Sequence, residues 1–539
     1  MKTQRTTYAD VLVIAITTWV CLCVQQGTLA QARQKPNLLF IMTDQQRYDA
    51  LSIAGNAVLE TPNLDRLARQ GAFFSKAYTP CAVCAPARAS ILTGHTVEHT
   101  GAKTNARSYY VDRELLTMPT FDEILADRGY HCEYYGKWHT VSSLADVYKN
   151  PIKAAKNGKS IFGPGGQRYV YLDYLEEHAK KREAQQGELT DKFTTMPYKT
   201  DPLDKHHGMT DAELKVKKLK FPQCDAHGEL LMPRELTLTA FQAKQTIEAI
   251  ERLKDKPFSI TCSFHFPHAP MIPPEPYYSM YPAKDMVPPV SISDDMQDSP
   301  YRTANGRLGN PEYADPEKIK YMISNYYGLV REIDDWVGEI LNTLDKHGLT
   351  KNTLVIFTSD HGEMLGAHGL REKNVFYEES AHIPLMIRYP GEIPMNTTVN
   401  GTISLVDLFA TILDYLNITD HRSDGKSLRG LMEGTDSEHG KYVVTEWDYR
   451  GDIESNYMIV KDGWKLIIPY SRGSKVINAM YNLNKDPHEM NNLLGTNPNR
   501  QRHVAKAEAL RHCLLEWLKK NKSKHYQGVK DRELTRKRI

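Results

Sequence analysis

The chain has 539 residues, of which 41% are apolar and 25% charged, with a formal net charge of +2. This balance excludes a disordered chain and a small disulfide-stapled scaffold, and the net charge gives no ground for a nucleic-acid partner. The length exceeds what one small core needs and predicts a large domain with a smaller one appended.

Lys2 and Arg5 precede an apolar run, Val11–Val24, that ends near Thr28-Leu29-Ala30. This is the pattern of an export signal, so residues 1–30 are expected to be removed from a secreted or periplasmic protein. The run is shorter than a bilayer span requires and no second long one follows. No membrane span is therefore expected in the mature protein. Outside this leader the cysteines are Cys81, Cys84, Cys132, Cys224, Cys262 and Cys513. They are scattered, and the sequence pairs none of them.

"PNLLFIMTD" reads as a buried strand over Leu38–Met42, ending at Asp44. "TPNLDRLARQG" follows as a short helix, with Thr61 as cap, Pro62 in the first turn and Gly71 at the end. Next comes "CAVCAPARASILTG", Cys81–Gly94. A Cys-x-x-Cys pair fits a redox site or half a zinc site, but no second pair supplies the other ligands. Inert buried thiols also remain open. Ala87–Thr93 reads as a helix start with Pro86 in its first turn, a place where free amides favour an anion. Arg88 lies one turn in.

"YGKWH" sets Lys137 and His139 two apart, on one side of an extended segment. The polar, lysine-rich stretch from Lys149 to Lys220 has no clean period and reads as an insertion. "FHFPHAP" carries His265 and His268, and Pro273 to Pro316 is a proline-rich excursion. Apolar residues from Tyr326 to Leu344 recur at helical spacing, with Gly348 as the stop. "TLVIF" is a second buried strand, running into "TSDHG". Strands alternating with helices predict an α/β sheet covered on both faces. Asp44, Asp360 and His361 then fall at carboxyl ends of strands, where such sheets gather ligands.

Lys373 in "HGLREKNVFYEES" reads, taken alone, as an exposed loop lysine, with His368 nearby. Beyond about Thr435, "KYVVTEW", "YMIVKDGWKLIIPY" and "AMYNLN" are short strands before a terminal helix. The expected division is residues 31–435 and a small α/β subdomain over 436–539. Gln501–Ile539 holds 12 Lys or Arg against 4 Asp or Glu. That is a solvated terminal helix, or more sharply a patch for an anionic polymer.

Cys84-Ala85-Pro86-Ala87-Arg88 followed by Leu92-Thr93-Gly94 resembles the signature of type I sulfatases, in the alkaline-phosphatase-like superfamily. Gly136–His139 matches that family's Gly-Lys-Trp-His, and Pro267–Pro270 its Pro-His-x-Pro. "HIPLMIRYPG" and "YNLNKDPHEMNNL" carry the likeness onward. The resemblance implies a large mixed β-sheet sandwiched by helices, with the smaller C-terminal α/β domain. It implies that a formylglycine-generating or radical-SAM maturation enzyme oxidises Cys84 to Cα-formylglycine. A hydrated aldehyde has two hydroxyls on one carbon. One attacks sulfur, and loss of the proton from the other lets the carbon collapse and expel sulfate.

The resemblance further implies that Asp44, Gln45, Asp360, His361 and residue 84 hold a divalent ion, usually Ca²⁺. Gln45 and His361 stand where many members carry Asp and Asn. An Asp-Gln and Asp-His pairing occurs in choline-sulfatase-like and phosphonate-monoester-hydrolase-like relatives, so Mg²⁺ or Mn²⁺ stays open. Arg88 would steady the hydrate and the metal ligands. Lys137 and Lys373 would bind sulfate, and His139 would take the second hydroxyl's proton. His268 would face a sulfate oxygen or the leaving alkoxide. The expected substrate is a sulfated carbohydrate, such as algal ulvan or glycosaminoglycan fragments. "YVYLDY" and "PYYSMYP" are offered as sugar-stacking aromatics. The alternatives are a phosphonate monoester or phosphodiester hydrolase, a sulfated-glycan binder without turnover, and, more distantly, a thiol-redox protein.

Overall fold

The run Asn37–Asp44 is apolar almost throughout, and all eight of its residues are buried. Such a strand needs a partner on each side and cover on both faces. The computed structural model supplies them. It describes residues 35–105, 118–140, 147–148, 170–171, 173–178, 198–203, 227–301, 313–437, 439–449, 454–471 and 476–535. The expected leader, 1–30, and most of the 149–220 insertion, with Cys224 just beyond it, lie outside the described residues.

The central strands are β1 (Asn37–Asp44), β2 (Ala72–Phe74), β3 (His131–Gly136), β4 (Phe258–Pro267), β5 (Thr353–Ser359), β6 (Leu385–Arg388) and β7 (Thr397–Val399). They form one seven-stranded sheet in the order β7-β2-β6-β5-β1-β4-β3. β1 runs parallel to β4 and β5, and β3 parallel to β4. β6 is antiparallel to β5 and β2, so the sheet is mixed, as expected. β1, β3, β4 and β5 therefore present their carboxyl ends at one edge.

Helices cover the sheet. α1 (Pro62–Arg69) begins at Pro62 as read, but Thr61 makes no side-chain cap. Its hydroxyl is engaged with Ser52 and Asp65. The free amides of Asn63 and Leu64 instead donate to Asp334 of a neighbouring helix, at 3.1 and 2.8 Å. That helix, here α4 (Pro316–Lys346), starts well before the apolar period shows it. Asp315 caps its first turn by accepting from the amides of Glu317 and Lys318. Between α1 and α4 in the chain come α2 (Cys84–Thr93) and α3 (Leu238–Leu253). Among the described residues, no helix is long and apolar enough to cross a membrane.

The last part of the chain forms a four-stranded antiparallel sheet: β8 (Tyr442–Tyr449), β9 (Glu454–Lys461), β10 (Trp464–Ser471) and β11 (Ala479–Asn482). Its alternate residues face opposite ways. Tyr457 and Ile459 pack with Leu510, Leu514 and Leu518 of the terminal helix α5 (Val504–Lys520). Met458 and Val460 pack with Met364, Val375 and Phe376. Asn37–Ile539 is one compact unit by its own contacts. Buried Lys465, on β10, reaches across to Glu378 and Glu489 at 2.8 Å each and donates to the Phe376 carbonyl.

Candidate active site

α2 opens at Cys84 itself, three residues earlier than the sequence reading, and all ten of its residues are buried. Pro86 lies in the first turn, where no intrahelical partner awaits an amide. The Ala85 amide donates to Asn105 Oδ1 at 3.0 Å. Gly94 ends the helix with φ +69, and a Cβ there would lie 2.6 Å from Phe409. Residue 84 is thus fixed at a buried helix start above the carboxyl edge of the sheet.

Four strand ends deliver side chains to that edge. β1 brings Asp44, β5 leads into Asp360 and His361, β3 into Lys137, and β4 into His268. The ligand atoms of Asp44, Cys84, Asp360 and His361 all lie within 4.8 Å of one another, and all four residues are buried. Cys84 Sγ is 3.0 Å from His361 Nε2. The His361 Nδ1 lies 3.0 Å from the Gly362 carbonyl, which fixes the proton on Nδ1 and turns the Nε2 lone pair inward. Asp44 Oδ1 is buried with no hydrogen-bond partner. An orphaned carboxylate oxygen beside a second carboxylate and an inward imidazole fits a divalent ion.

Arg88 ties this cluster together. Its guanidinium donates to Asp360 Oδ2 at 2.7 Å, Asp44 Oδ2 at 3.0 Å, Ser263 Oγ at 2.8 Å and the Lys137 carbonyl at 2.6 Å. Lys137 Nζ is 2.5 Å from Asp44 Oδ2 and 3.7 Å from Cys84 Sγ. Burial would raise the Asp44 carboxyl. The fixed cations beside it, Lys137 foremost and then Arg88, outweigh it and hold that carboxyl well below the usual range. Burial and Asp44 likewise push the Cys84 thiol up, and Lys137, Lys373 and His361 outweigh both to hold it well below the usual thiol range. Position 84 is therefore a place that favours an anion.

The segment after β3 is not extended. Gly136 has φ +103, and a Cβ there would lie 1.8 Å from the Ser263 carbonyl. His139 has φ +48. The turn still brings both side chains to residue 84. Burial holds the His139 imidazole below its ordinary value, with its bond to Cys84 opposing and Lys137 assisting. Lys373, far from being an exposed loop lysine, is only 5% exposed. Its Nζ lies 3.1 Å from His268 Nε2 and donates to Gln45 Oε1. His268 Nδ1 is 2.7 Å from the Ala269 carbonyl, so that nitrogen carries the proton. Burial, Lys373 and Lys137 hold the His268 imidazole well below its usual value, and it is neutral.

Gln45 lies in the same wall. Its backbone amide donates to Asp360 Oδ1 at 3.2 Å, its side-chain amide nitrogen donates to Glu363, and its oxygen faces Lys373. Left-handed backbone recurs here: Gln45 at φ +74, Glu372 at +61 and Asn374 at +76. Each costs about 1–3 kcal/mol, held by the surrounding packing.

Other expectations fall away from the site. His368 pairs with Asp294 at 2.6 Å and stacks on Tyr377 at 3.8 Å, a structural role. Tyr171, Tyr277 and Tyr281 of the two aromatic stretches are buried, so they are core and not sugar platforms. No disulfide joins any two of the described cysteines Cys81, Cys84, Cys132, Cys262 and Cys513. Sequence reasoning passed over Ser263, Glu363 and Asn105. No local motif marks them, because each acts through a partner distant in the chain.

A mixed seven-stranded sheet between helices, with Cys84, carboxylates and histidines at its carboxyl edge, is the architecture of the alkaline-phosphatase-like class. The family model described as Sulfatase matches residues 36–418, and the N-sulphoglucosamine sulphohydrolase C-terminal model matches 366–517. The chain belongs to the sulfatase family, whose members hydrolyse sulfate esters. It is 29% identical to an arylsulfatase of Clostridium perfringens over 92% of this chain and 97% of that one. It is 30% identical to an ulvan-active sulfatase of Formosa agariphila over 86% of this chain and 77% of that one. Two solved structures share the fold. One is the phosphonate monoester hydrolase of Agrobacterium radiobacter, with TM-score 0.71 and 23% identity over 90% of this chain and 96% of that one. The other is a protein in complex with its substrate D-glucosamine-2-N,6-O-disulfate, with TM-score 0.68 and 22% identity over 93% of this chain and 100% of that one.

Proposed function

We propose that this sulfatase removes sulfate from a sulfated carbohydrate, using Cys84 after its conversion to Cα-formylglycine. One observation carries the reading. Lys137, His139, Lys373 and His268 converge on residue 84, beside the buried cluster of Asp44, Asp360 and His361. The encoded thiol marks where the oxygens of the modified side chain would sit. When hydrated, that side chain supplies a nucleophile with its own release step.

Asp44, Asp360, His361 and residue 84, with Gln45 adjoining, are the residues that would hold a divalent ion, Ca²⁺ first and Mg²⁺ or Mn²⁺ next. Such an ion supplies charge stabilisation at the ester oxygens. The remaining work is the chain's own. Lys137 and Lys373 are fixed donors for the anionic group, Lys137 beside Cys84 and Lys373 beside His268. His139 is kept neutral by burial and by Lys137, so it can accept a proton at residue 84. His268 stands beside Lys373 on the leaving-group side. Arg88 holds both carboxylates and keeps the cluster in register.

The sugar assignment draws on the names of relatives: an ulvan-active sulfatase, and a structural neighbour crystallised with a disulfated glucosamine. Export and maturation by a formylglycine-generating or radical-SAM enzyme complete the proposal, because the N-terminal run reads as a leader and Cys84 needs oxidation.

Mass spectrometry of the Cys84 peptide from active protein is expected to show a loss of about 18 Da relative to the thiol form. An intact thiol in fully active protein would refute the mechanism. Turnover of an aryl sulfate should exceed that of the matching aryl phosphonate, and the reverse order would favour the phosphonate hydrolase reading. Glycan binding without any sulfate release would leave a binder.

Chelation followed by gel filtration is expected to abolish aryl sulfate turnover and to lower Tm, since Asp44 and Asp360 are then left facing each other with only Arg88, Lys137 and His361 to offset them. Ca²⁺ should restore both. Full activity after exhaustive metal removal, checked by elemental analysis, would rule the ion out.

A further inference from the structure

α2 is followed at once by a second, separate group of metal-type donors. His95 and His99 lie four apart just beyond the Gly94 helix end, and Asp424 reaches them from a distant loop. One ligand atom from each lies within 4.8 Å of the others. We propose that His95, His99 and Asp424 form a second cation site, for a borderline transition ion of the Zn²⁺ type, distinct from the cluster at Cys84. This goes beyond the sulfatase reading and does not depend on it.

The donor set fits such an ion. Two imidazole nitrogens and one carboxylate oxygen suit Zn²⁺ better than Ca²⁺, which prefers oxygen throughout. The distances are close to those needed. Two atoms each about 2.1 Å from a shared ion cannot be more than about 4.2 Å apart. Asp424 Oδ2 lies 2.7 Å from His99 Nδ1 and 3.3 Å from His95 Nδ1. The two imidazoles need only a small closing movement.

Hydrogen bonding alone accounts poorly for the arrangement. Asp424 Oδ2 already accepts from the Thr96 amide at 2.9 Å and pairs with His99. A carboxylate oxygen has two lone pairs, so a third donor finds no good direction. Accordingly His95 Nδ1, although it faces that oxygen, is buried with no hydrogen-bond partner, and so is Thr96 Oγ1. A cation among the three side chains gives His95 Nδ1 a partner: the Nδ1 lone pairs turn to the ion and the surplus protons leave. The side chains are only 17%, 33% and 15% exposed, so the site is sheltered. A cavity of about 220 Å³ lined by Thr96, Asp424, Asp407 and His439 lies alongside and gives an ion a way in.

The ion would have a mechanical effect. The Asp424 amide already donates to the Gly94 carbonyl at 2.9 Å. A metal bond would pin the 420–426 loop to the end of the helix that begins with Cys84.

The calcium-loaded full-length enzyme, equilibrated with Zn²⁺ and desalted, is expected to retain about one more zinc equivalent than either His99→Ala or Asp424→Asn. Zinc taken up at the Cys84 cluster is common to all three proteins and cancels. Sulfate release should persist in both variants. Equal zinc contents would overturn the proposal. Should a variant fold poorly, Co²⁺ added to the wild-type enzyme gives a second reading. An intense visible band of four-coordinate cobalt that is lost in His95→Gln supports the site. No such band, or one unchanged in His95→Gln, overturns it.

Discussion

Cys84→Ala is expected to lower sulfate release by about 10,000-fold or more while leaving the fold intact. Removing the attacking group leaves only binding and electrostatic help. The substitution trades one small buried side chain for another at the start of a helix, where alanine is a good residue. The unfolding midpoint should therefore stay near that of the unmodified protein, and circular dichroism should not change. Cys84→Ser gives a sharper result. Serine offers one hydroxyl and no second one to drive release. It is expected to react once at most and remain as a sulfate ester, seen as a mass gain of one SO₃ group. Steady turnover by the serine protein would mean that release does not need a second oxygen on residue 84.

Arg88→Leu is expected to cost about 3–5 kcal/mol of folding stability and to abolish turnover. Arg88 is 1% exposed and bonds Asp44 and Asp360, both fully buried. Without it the two carboxylates lose the guanidinium that bonds them both, and the Lys137 carbonyl and Ser263 hydroxyl lose a donor. Urea unfolding of metal-free protein measures the loss. A second change, Asp360→Leu, should make the double variant less unstable than the sum of the two single losses, because the charge left behind by one is removed by the other. Simple additivity, or a loss under about 1 kcal/mol, would show that Arg88 is not the counter-charge the geometry describes.

The sequence shows the parts of the fold that are local in period or strongly apolar. β1 and β5 are legible because an interior parallel strand must be apolar on both faces. α4 is legible over its amphipathic stretch but not at its start, where Asp315 and Pro316 are hidden in a proline-rich excursion. The cap of α1 was misread for a different reason. Thr61 is the right residue type in the right place, yet the amides are taken by Asp334, which no local rule connects to them. The active site divides in the same way. Cys84, Arg88, Lys137 and His268 stand in short motifs whose spacing is itself the signal. Lys373 carries no local cue of burial, and only the folded chain shows it beside His268. Ser263 and Glu363 act through side chains distant in sequence and look like ordinary polar residues. Tyr171, Tyr277 and Tyr281 show the opposite failure: composition alone points them toward the substrate, whereas packing uses them inside.

Lys465 ties two distant parts of the chain together. It belongs to the terminal sheet, yet its ammonium grips the Phe376 carbonyl and Glu378, a few residues after Lys373. The stretch that carries Lys373 is thus held from behind by the last fifth of the chain. The last strands are not a detachable tail. A shortened protein ending before Tyr442 would keep every candidate site residue from Asp44 to Lys373 and lose the ammonium that holds the stretch behind Lys373.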